Sequence, residues 1–468
     1  MVFSSLSFLL GFMPVFFILY YRLPANCKNQ LLLIGSIIFY GLGVWRRPAC
    51  LLLLLVSMAV NIKTGRLISG RDRRRGKRWL YLGLLWNFGI LFIFKYLGFV
   101  CENLNRLLPA GLAVLPEKRP KLPPGISFYT FQVVSWLIDV YRGSRYDMGN
   151  GLSIATYLCM FPQLIAGPII TYGEVESALQ KRKHTLKMLD RGLREFVIGL
   201  GMKVLLANRV GNLWREVGAI GYESLSMPLA WMGIAAFSFQ LYFDFCGYSR
   251  MARGLGWMMG MEFPENFRDP YQALSMTDFW RRWHITLGRW FREYVYIPLG
   301  GSRCGRGKTF RNLLLVWLLT GIWHGASWNY VLWGLLLFGL IVLEKSGLEE
   351  RLKRYPLLGH AYMLFAIPLT WLVFAVTDLE KLAVYLKRLF DVSAGSGAAV
   401  FGQDYIKYGK IYGIWLLLCV LFCTPLPGKL YRQWAYTWAA ALGLLAVFWF
   451  CVYCLYIGLN DPFLYFQF

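Results

Sequence analysis

The chain has 468 residues, of which 57% are hydrophobic and only 16% are charged. A soluble domain cannot cover that much apolar surface, whereas spans of about 20 residues, each crossing roughly 30 Å of hydrocarbon, can. The net charge of +25 lies mainly between apolar runs, as in Lys63–Arg78, which favours cytoplasmic loops beside anionic lipid over nucleic acid as a partner. Composition therefore predicts a membrane protein.

In chain order, the apolar stretches predict an all-α polytopic protein of roughly eleven or twelve transmembrane helices. The first stretch lacks the basic start and cleavage pattern of a signal peptide, so we interpret it as a span. Predicted spans lie near residues 5–21, 30–45, 48–62, 79–100, 125–141, 152–169, 193–207 and 227–245, and, after a polar centre, near 311–342, 359–377, 411–425 and 435–458.

The basic loops predict the orientation of these spans. With Lys63–Arg78 inside, the N-terminus and the segment Cys101–Pro123 lie outside. Simple alternation would then place the basic segment Lys181–Lys187 outside as well. We therefore expect a re-entrant element or half-span between residues 150 and 200.

The polar centre, Glu262–Gly307, mixes tryptophan and phenylalanine with arginine. Overlapping aromatic and basic faces are typical of a helix that lies at the membrane interface. No internal repeat is visible, so we expect a single domain over residues 1–468, with N-terminal helices to about 122, a core at about 123–345 and C-terminal helices from about 346.

Ten cysteines raise the question of a metal site or disulfides. Cys451 and Cys454 have ligand-like spacing, but no second pair or histidine lies nearby to complete a zinc site. We interpret them as small buried hydrophobic residues and predict no metal.

Two of the four histidines have unusual surroundings. His184 and His360 are predicted to be solvated or interfacial, whereas His284 lies in FWRRWHITL and His324 in WHGASW, within an apolar span. A charged residue at membrane depth costs roughly 2.5–3.5 kcal/mol, so such a group usually faces a cavity. Burial also keeps an imidazole neutral and able to accept a proton. The alternative is a structural imidazole bonded to a neighbouring helix.

Neighbouring residues favour a site at His324. Gly325 permits close approach of a helix or ligand, and Trp323 and Trp328 can wall a pocket. Spans also contain two acids with an arginine nearby, and we predict the structural ion pairs Asp139–Arg142 and Asp244–Arg250 for them.

Several long motifs resemble the membrane-bound O-acyltransferase family, and within it the branch that O-acetylates alginate. These are the opening MVFSSLSFLLGFMPVFFILYYRLP, PPGISFYTFQVVSWLIDVYRG (Pro123–Gly143), YLCMFPQLIAGPI (Tyr157–Ile169), the block from Tyr242 to Tyr271, FWRRWHITL, WHG at Trp323–Gly325 and the closing PFLYFQF (Pro462–Phe468). The resemblance implies tilted helices around a thin centre pierced by a funnel.

The resemblance also implies roles for individual residues. His324 is similar to the family's invariant histidine, which activates the acceptor. His284 is similar to the second active-site histidine, which orients the acceptor or stabilises charge. We expect Trp283 and the basic face to border the entrance for the acyl donor; that face comprises Arg281, Arg282 and Arg289. Arg250 replaces an acid found in many relatives, which puts the charge partner of Asp244 in doubt. Leu337 stands where many have a third histidine.

The sequence thus predicts an O-acetyltransferase of a bacterial cytoplasmic membrane, passing acyl groups from a cytoplasmic thioester, either acetyl-CoA or an acyl carrier protein, to an extracellular or cell-wall polysaccharide. No bound cofactor is expected. The resemblance implies a Ser-hydrolase-like partner outside the cell membrane, and we expect contact with membrane lipid. The alternatives are D-alanyl transfer to teichoic acid and, outside the enzymes, a polysaccharide or solute transporter with histidines along a proton path.

Overall fold

A computed structural model describes residues 1–70, 72–109, 120–144, 146, 148, 150–391, 401–458 and 464. Within these ranges every regular element is a helix. The chain forms two compact units, one of Met1–Phe196 with Ser249–Glu265, and the other of Val197–Tyr248 with Asn266–Phe468. The prediction of a single domain remains a prediction.

The first unit begins with nine helices. They are α1 (Met13–Arg22), α2 (Lys28–Gly43), α3 (Pro48–Ile68), α4 (Arg73–Leu91), α5 (Leu97–Leu107), α6 (Ile126–Arg142), α7 (Gly151–Cys159), α8 (Phe161–Leu164) and α9 (Tyr172–Gln180). Helix α10 (Leu186–Gly201) passes into the second unit, which contains α11 (Asn208–Ile220) and the first part of α12 (Met227–Met258).

The rest of the second unit is also helical. It contains α13 (Met276–Arg282), α14 (Ile285–Phe291), α15 (Arg306–His324), α16 (Trp328–Leu343), α17 (Glu349–Arg354), α18 (Pro356–Ala375), α19 (Leu379–Phe390), α20 (Asp404–Phe422), α21 (Leu426–Trp434) and α22 (Trp438–Tyr456). Short π-helical segments extend several of the helices of both units: Ser7–Phe12, Phe92–Tyr96, Met202–Ala207, Arg292–Tyr296 and Glu344–Leu348. The 3₁₀ turns are Ala25–Cys27, Tyr222–Ser224 and Pro270–Gln272.

Eight helices in the described residues are long and apolar enough to cross a membrane, and Ser7–Arg22 is a shorter apolar helix. These findings confirm an all-α protein with many membrane spans. The eight are Pro48–Ile68, Arg73–Leu107, Leu186–Ile220, Met227–Met258, Trp328–Arg354, Pro356–Ala375, Asp404–Phe422 and Trp438–Tyr456.

The span predicted near residues 152–169 is wrong. Helix α7 has 9 residues and α8 only 4. At about 1.5 Å per residue, neither is long enough to cross roughly 30 Å of hydrocarbon. Met160 is extended (φ −59°, ψ 124°) and separates the two helices, while Pro162 lies in the first turn of α8. Apolar composition had suggested a continuous helix that the backbone does not form.

The two predicted ion pairs have different outcomes. Arg142 lies 3.9 Å from Asp139, three residues away on α6, as predicted. The pair Asp244–Arg250 is wrong, because Lys203 lies 2.7 Å from Asp244 and Arg250 pairs with Glu195 at 3.3 Å. Residues six apart do not share a helix face, so Asp244 takes a cation from another helix.

Three further predictions concern the remaining polar and sulfur groups. All ten cysteines are free, and Cys451 and Cys454 are buried, as expected for small hydrophobic residues. His360 is exposed. His184 is half-buried and lies edge-on to the rings of Tyr20 and Tyr21, at 5.5 and 6.0 Å. Burial lowers its pKa.

Two predicted segments fall partly outside the described residues. The predicted outer segment Cys101–Pro123 includes residues 110–119, and the closing motif Pro462–Phe468 is described only at Leu464. The backbone N–H of Leu464 donates to Asp244 Oδ2 at 2.7 Å, so this residue also contacts the buried ion pair.

Candidate active site

His324 is the last residue of α15 and is 5% exposed. Three aromatic rings approach its imidazole edge-on, with centroids 4.9 Å away for Trp323, 5.1 Å for Trp333 and 5.2 Å for Phe374. The surroundings of the imidazole are therefore largely apolar. Such surroundings disfavour a charged imidazolium and favour the neutral ring.

Glycines allow α15 and α16 to approach closely beside His324. A Cβ atom at Gly321 would lie 2.3 Å from the carbonyl oxygen of Tyr330, and one at Gly334 would lie 2.5 Å from that of Trp317. Gly325 is extended and ends α15, and the Tyr330 ring lies where its Cβ would be. This arrangement agrees with the close packing that the sequence predicted around Gly325.

Asn329 fixes the start of α16 against the end of α18. Its side-chain amide donates to the carbonyl oxygens of Val373 and Phe374, at 3.1 and 3.0 Å. Because Phe374 packs on His324, these two bonds hold one wall of the histidine's surroundings in place.

His284 lies at the junction of α13 and α14 and is 1% exposed. Its backbone adopts the left-handed conformation (φ 44°), which is uncommon for a residue other than glycine. Its Nδ1 is 3.1 Å from Asn266 Oδ1, and Phe245 lies edge-on to the ring at 4.7 Å. Burial lowers the pKa of His284, which lies outside the eight long apolar helices, to about 3. The ring is therefore neutral at physiological pH.

Trp323 connects the two histidines. Its ring centroid is 4.9 Å from that of His324 and 6.2 Å from that of His284. The two histidines are forty positions apart in the sequence, and in the structure both imidazole rings lie beside the same indole ring.

A cluster of further tryptophans supports this arrangement. Trp283 stacks on Phe279 at 5.4 Å and lies 5.0 Å from Trp371. Trp371 stacks in turn on Trp333 at 6.0 Å. The cluster therefore runs from the turn at His284 to the wall of His324.

A buried carboxylate positions α13, the helix that leads into His284. Glu344 accepts hydrogen bonds from the backbone N–H of Met276 and of Thr277, and from the Thr277 hydroxyl. These are N–H groups of the first helical turn, which have no partner inside their own helix. Glu344 thus connects α13 to the end of α16.

Not every predicted site residue joins this cluster. Trp328 is 51% exposed and Arg281 is exposed, while Arg289 is partly exposed. Arg282 donates to both carboxylate oxygens of Asp278 on its own helix, at 3.0 Å each. The entrance for a donor beside these arginines remains a prediction.

Sequence reasoning missed several residues that surround the histidines. They are Asn266, Asn329, Trp333, Glu344, Trp371 and Phe374. A signal was available for Asn329, because an asparagine within an apolar run such as SWNYVLW needs a partner there. For the aromatic residues, no local signal in the sequence distinguishes these buried rings from rings that face lipid.

The arrangement fits proton transfer by neutral imidazole in a site that largely excludes water. Within the described part of the chain, no three His, Cys, Asp or Glu side chains gather as a metal site requires. The polar groups described around this cluster are the two histidines and the Asn266 amide, and aromatic rings form its walls.

Comparison with known proteins gives consistent results. A family model described as the membrane-bound O-acyltransferase family matches residues 143–356, a range that contains both histidines. A probable alginate O-acetylase of Pseudomonas putida is 38% identical over 83% of this chain and 80% of its own length. A peptidoglycan O-acetyltransferase of Helicobacter pylori is 32% identical over 100% of this chain and 98% of its own. A teichoic acid D-alanyltransferase of Streptococcus thermophilus is 27% identical over 57% of this chain and 71% of its own.

Proposed function

Because the chain belongs to the membrane-bound O-acyltransferase family, we propose that it transfers acetyl groups for the O-acetylation of a polysaccharide outside the cell. The protein is an O-acyltransferase and a multi-pass membrane protein. Two relatives of high coverage are named for acetyl transfer, one to alginate and one to peptidoglycan. That agreement supports acetyl as the acyl group and a glycan hydroxyl as its final destination.

His324 acts as the general base in this proposal. Its imidazole takes the proton of the acceptor hydroxyl while that oxygen attacks the thioester carbonyl. The carbon–sulfur bond then breaks, and the proton passes to the departing thiolate, so that an ester and a thiol are formed. The observation that supports this role is the burial of the imidazole among the rings of Trp323, Trp333 and Phe374.

His284 contacts the same indole ring and orients the acceptor. The donor is an acyl thioester, carried by coenzyme A or by an acyl carrier protein, entering from the cytoplasmic side near Arg281 and Arg289. No metal takes part in chemistry of this kind in the family.

The test of the base is an acetyl-transfer assay with purified protein in liposomes and no transmembrane gradient. His324→Ala should lose at least about 100-fold in rate, since a positioned base contributes about 10²–10⁴-fold. His360→Ala is the matched control, because His360 is exposed. Retention of more than a tenth of wild-type activity in His324→Ala would contradict the role.

The same assay decides between acyl groups. Similarity to a teichoic acid D-alanyltransferase keeps D-alanyl transfer as a second candidate. Acetyl and D-alanyl thioesters are offered separately, on coenzyme A and on a carrier protein. Consumption of the D-alanyl thioester alone would show that the protein transfers D-alanyl groups and not acetyl groups.

We also propose a partner protein, a Ser-hydrolase-like acetyltransferase outside the membrane, that completes transfer to the sugar. Helix α5 ends at Leu107 and helix α6 begins at Ile126, so the predicted outer segment between them is short. A long polymer needs a larger surface to bind. Reconstitution with donor and polysaccharide, with and without the partner, tests the proposal. Efficient acetylation of long-chain glycan by this protein alone would refute the two-component scheme.

A further inference from the structure

Asn266 makes an unusual set of contacts around His284. Its side-chain oxygen, Oδ1, lies 3.1 Å from His284 Nδ1, 3.2 Å from the backbone nitrogen of Thr286 and 3.0 Å from the Thr286 hydroxyl. All three residues are 1% exposed. Three polar atoms therefore lie within hydrogen-bonding distance of one buried acceptor oxygen.

The backbone N–H of Thr286 identifies the chemistry of this atom. A backbone N–H can only donate, so the side-chain atom of Asn266 that faces it must be the carbonyl oxygen and not the amide nitrogen. A carbonyl oxygen can only accept. The Nδ1 atom of His284 that lies beside it must therefore carry a proton, and in the neutral ring Nε2 then has none.

The backbone holds Asn266 in register with the histidine. The main-chain oxygen of Asn266 accepts from Ile285 N at 3.0 Å, and Arg268 N donates to the oxygen of Arg282 at 2.9 Å. These bonds flank His284 on both sides in sequence. Two first-turn N–H groups of α14, those of Ile285 and Thr286, thus find their acceptors on Asn266.

We infer that Asn266 is a positioning residue that fixes His284 in the tautomer with its proton on Nδ1 and an unprotonated Nε2. In this tautomer Nε2 accepts a hydrogen bond from a hydroxyl, and it has no proton to donate to an oxyanion. His284 therefore orients the acceptor hydroxyl rather than stabilising negative charge on the thioester oxygen. Only this last consequence rests on the proposed function; the tautomer itself does not.

The test uses the small number of histidines. Protein labelled with ¹⁵N-histidine contains four labelled residues, and His284→Gln assigns the signal of His284 by its loss. At pH 8 in liposomes, the wild-type signal should show a protonated Nδ1 and an unprotonated Nε2. Asn266→Asp retains an acceptor oxygen and should retain this pattern, whereas Asn266→Leu should lose it.

Turnover is measured on the same variants. Asn266→Leu should lower kcat about 10-fold to 100-fold with little change in the KM for the donor, as expected from loss of one hydrogen bond to a buried group. Asn266→Asp should recover most of kcat. Asn312→Leu is the matched control: Asn312 is buried and donates to the oxygens of Leu299 and Gly301, so its loss should leave the His284 signal unchanged.

Three outcomes would overturn the inference. They are a protonated Nε2 in the wild type, a His284 signal and kcat in Asn266→Leu that match the wild type, and a loss of kcat in Asn266→Asp as large as in Asn266→Leu. Full activity in His284→Gln with the expected wild-type tautomer would instead refute the role of His284 in the proposed function and leave the tautomer established.

Discussion

Individual polar residues in this protein are held by partners that lie far away in sequence. Lys203 and Asp244 have side chains that are 3% and 2% exposed, and Lys203 Nζ lies 2.7 Å from Asp244 Oδ1 in a close ion pair. A buried ion pair adds little net stability over apolar residues, but an unpaired buried charge is costly. Replacing only one member of this pair should therefore destabilise the protein more than replacing both.

We expect Asp244→Leu to destabilise the protein by about 3–5 kcal/mol, because it leaves the Lys203 ammonium without its counter-charge. The double variant Lys203→Met with Asp244→Leu should recover much of this loss. Thermal unfolding in detergent measures both variants. Arg250→Gln is the control, since Arg253 also lies 3.3 Å from Glu195 and can retain the pairing. Lys203→Met alone completes the set, and a double variant as unstable as the sum of Asp244→Leu and Lys203→Met would contradict the coupling.

Some contacts between individual polar residues could be predicted from the sequence, and others could not. The pair Asp139–Arg142 followed from spacing on one helix, whereas the partner of Asp244 did not. Spacing fixes neighbours within a helix, but a contact between helices depends on how they pack, which the local sequence does not contain. Asn266 was missed for the same reason.

At the scale of helices, the junction of α15 and α16 depends on the absence of side chains. Gly325 has φ −167°, an extended conformation open to any residue, so only space makes glycine necessary. A Cβ there would lie 2.1 Å from Cε2 of Tyr330. The position of His324, the preceding residue, depends on this contact.

We expect Gly325→Ala to cost about 1–3 kcal/mol through overpacking and to lower activity, since the Tyr330 ring must shift. Gly339→Ala, on α16, is the matched control, because nothing lies within 4 Å of its Cβ position and alanine favours the helix. Thermal stability and turnover are compared in the two variants. Equal behaviour would show that the space beside Tyr330 does not matter.

A second prediction at this scale concerns the cap on α13. Glu344→Leu should lower stability by about 1–3 kcal/mol per unsatisfied N–H and reduce activity, because α13 leads directly into His284. Glu344→Gln should retain much of both, since the amide oxygen still accepts. Glu349→Gln, which breaks an i,i+4 pair with Lys353, should change little. Stability in detergent and turnover distinguish these variants.

Apolar periodicity predicted most of the long helices but not where the short ones break. Prediction succeeded where one helix fills a span, as in Pro48–Ile68. It failed at 152–169, where Met160 and Pro162 interrupt a uniformly apolar run. Apolar composition indicates that a segment lies in an apolar environment. The position of a helix break depends on backbone conformation, which apolar composition does not predict.

For the whole molecule, the basic loop between α3 and α4 predicts orientation. Ser69 lies just after α3 and is exposed, and Asp72 caps α4 by accepting from the N–H groups of Arg74 and Arg75. Loops rich in lysine and arginine remain on the cytoplasmic side. This orientation also determines the side from which the thioester reaches the enzyme.

Ser69→Cys should therefore react with a membrane-impermeant thiol reagent only after the cells are opened. Of the ten native cysteines, only Cys27 and Cys304 are partly exposed, so replacing these two with serine gives a suitable background. Labelling in intact cells would reverse the predicted orientation and the direction of donor entry.

The left-handed backbone at His284 constrains which side chains this position can accept at all. Glycine, asparagine and aspartate adopt φ near 44° readily, whereas valine, isoleucine and threonine do so at high cost. In a library of all substitutions at this position, protein abundance should be highest for residues that readily adopt this backbone conformation. Activity should instead depend on the presence of the imidazole side chain. A variant that is abundant but inactive then reports on chemistry, and one that is scarce reports on folding, so the two causes of a defect can be separated in one selection.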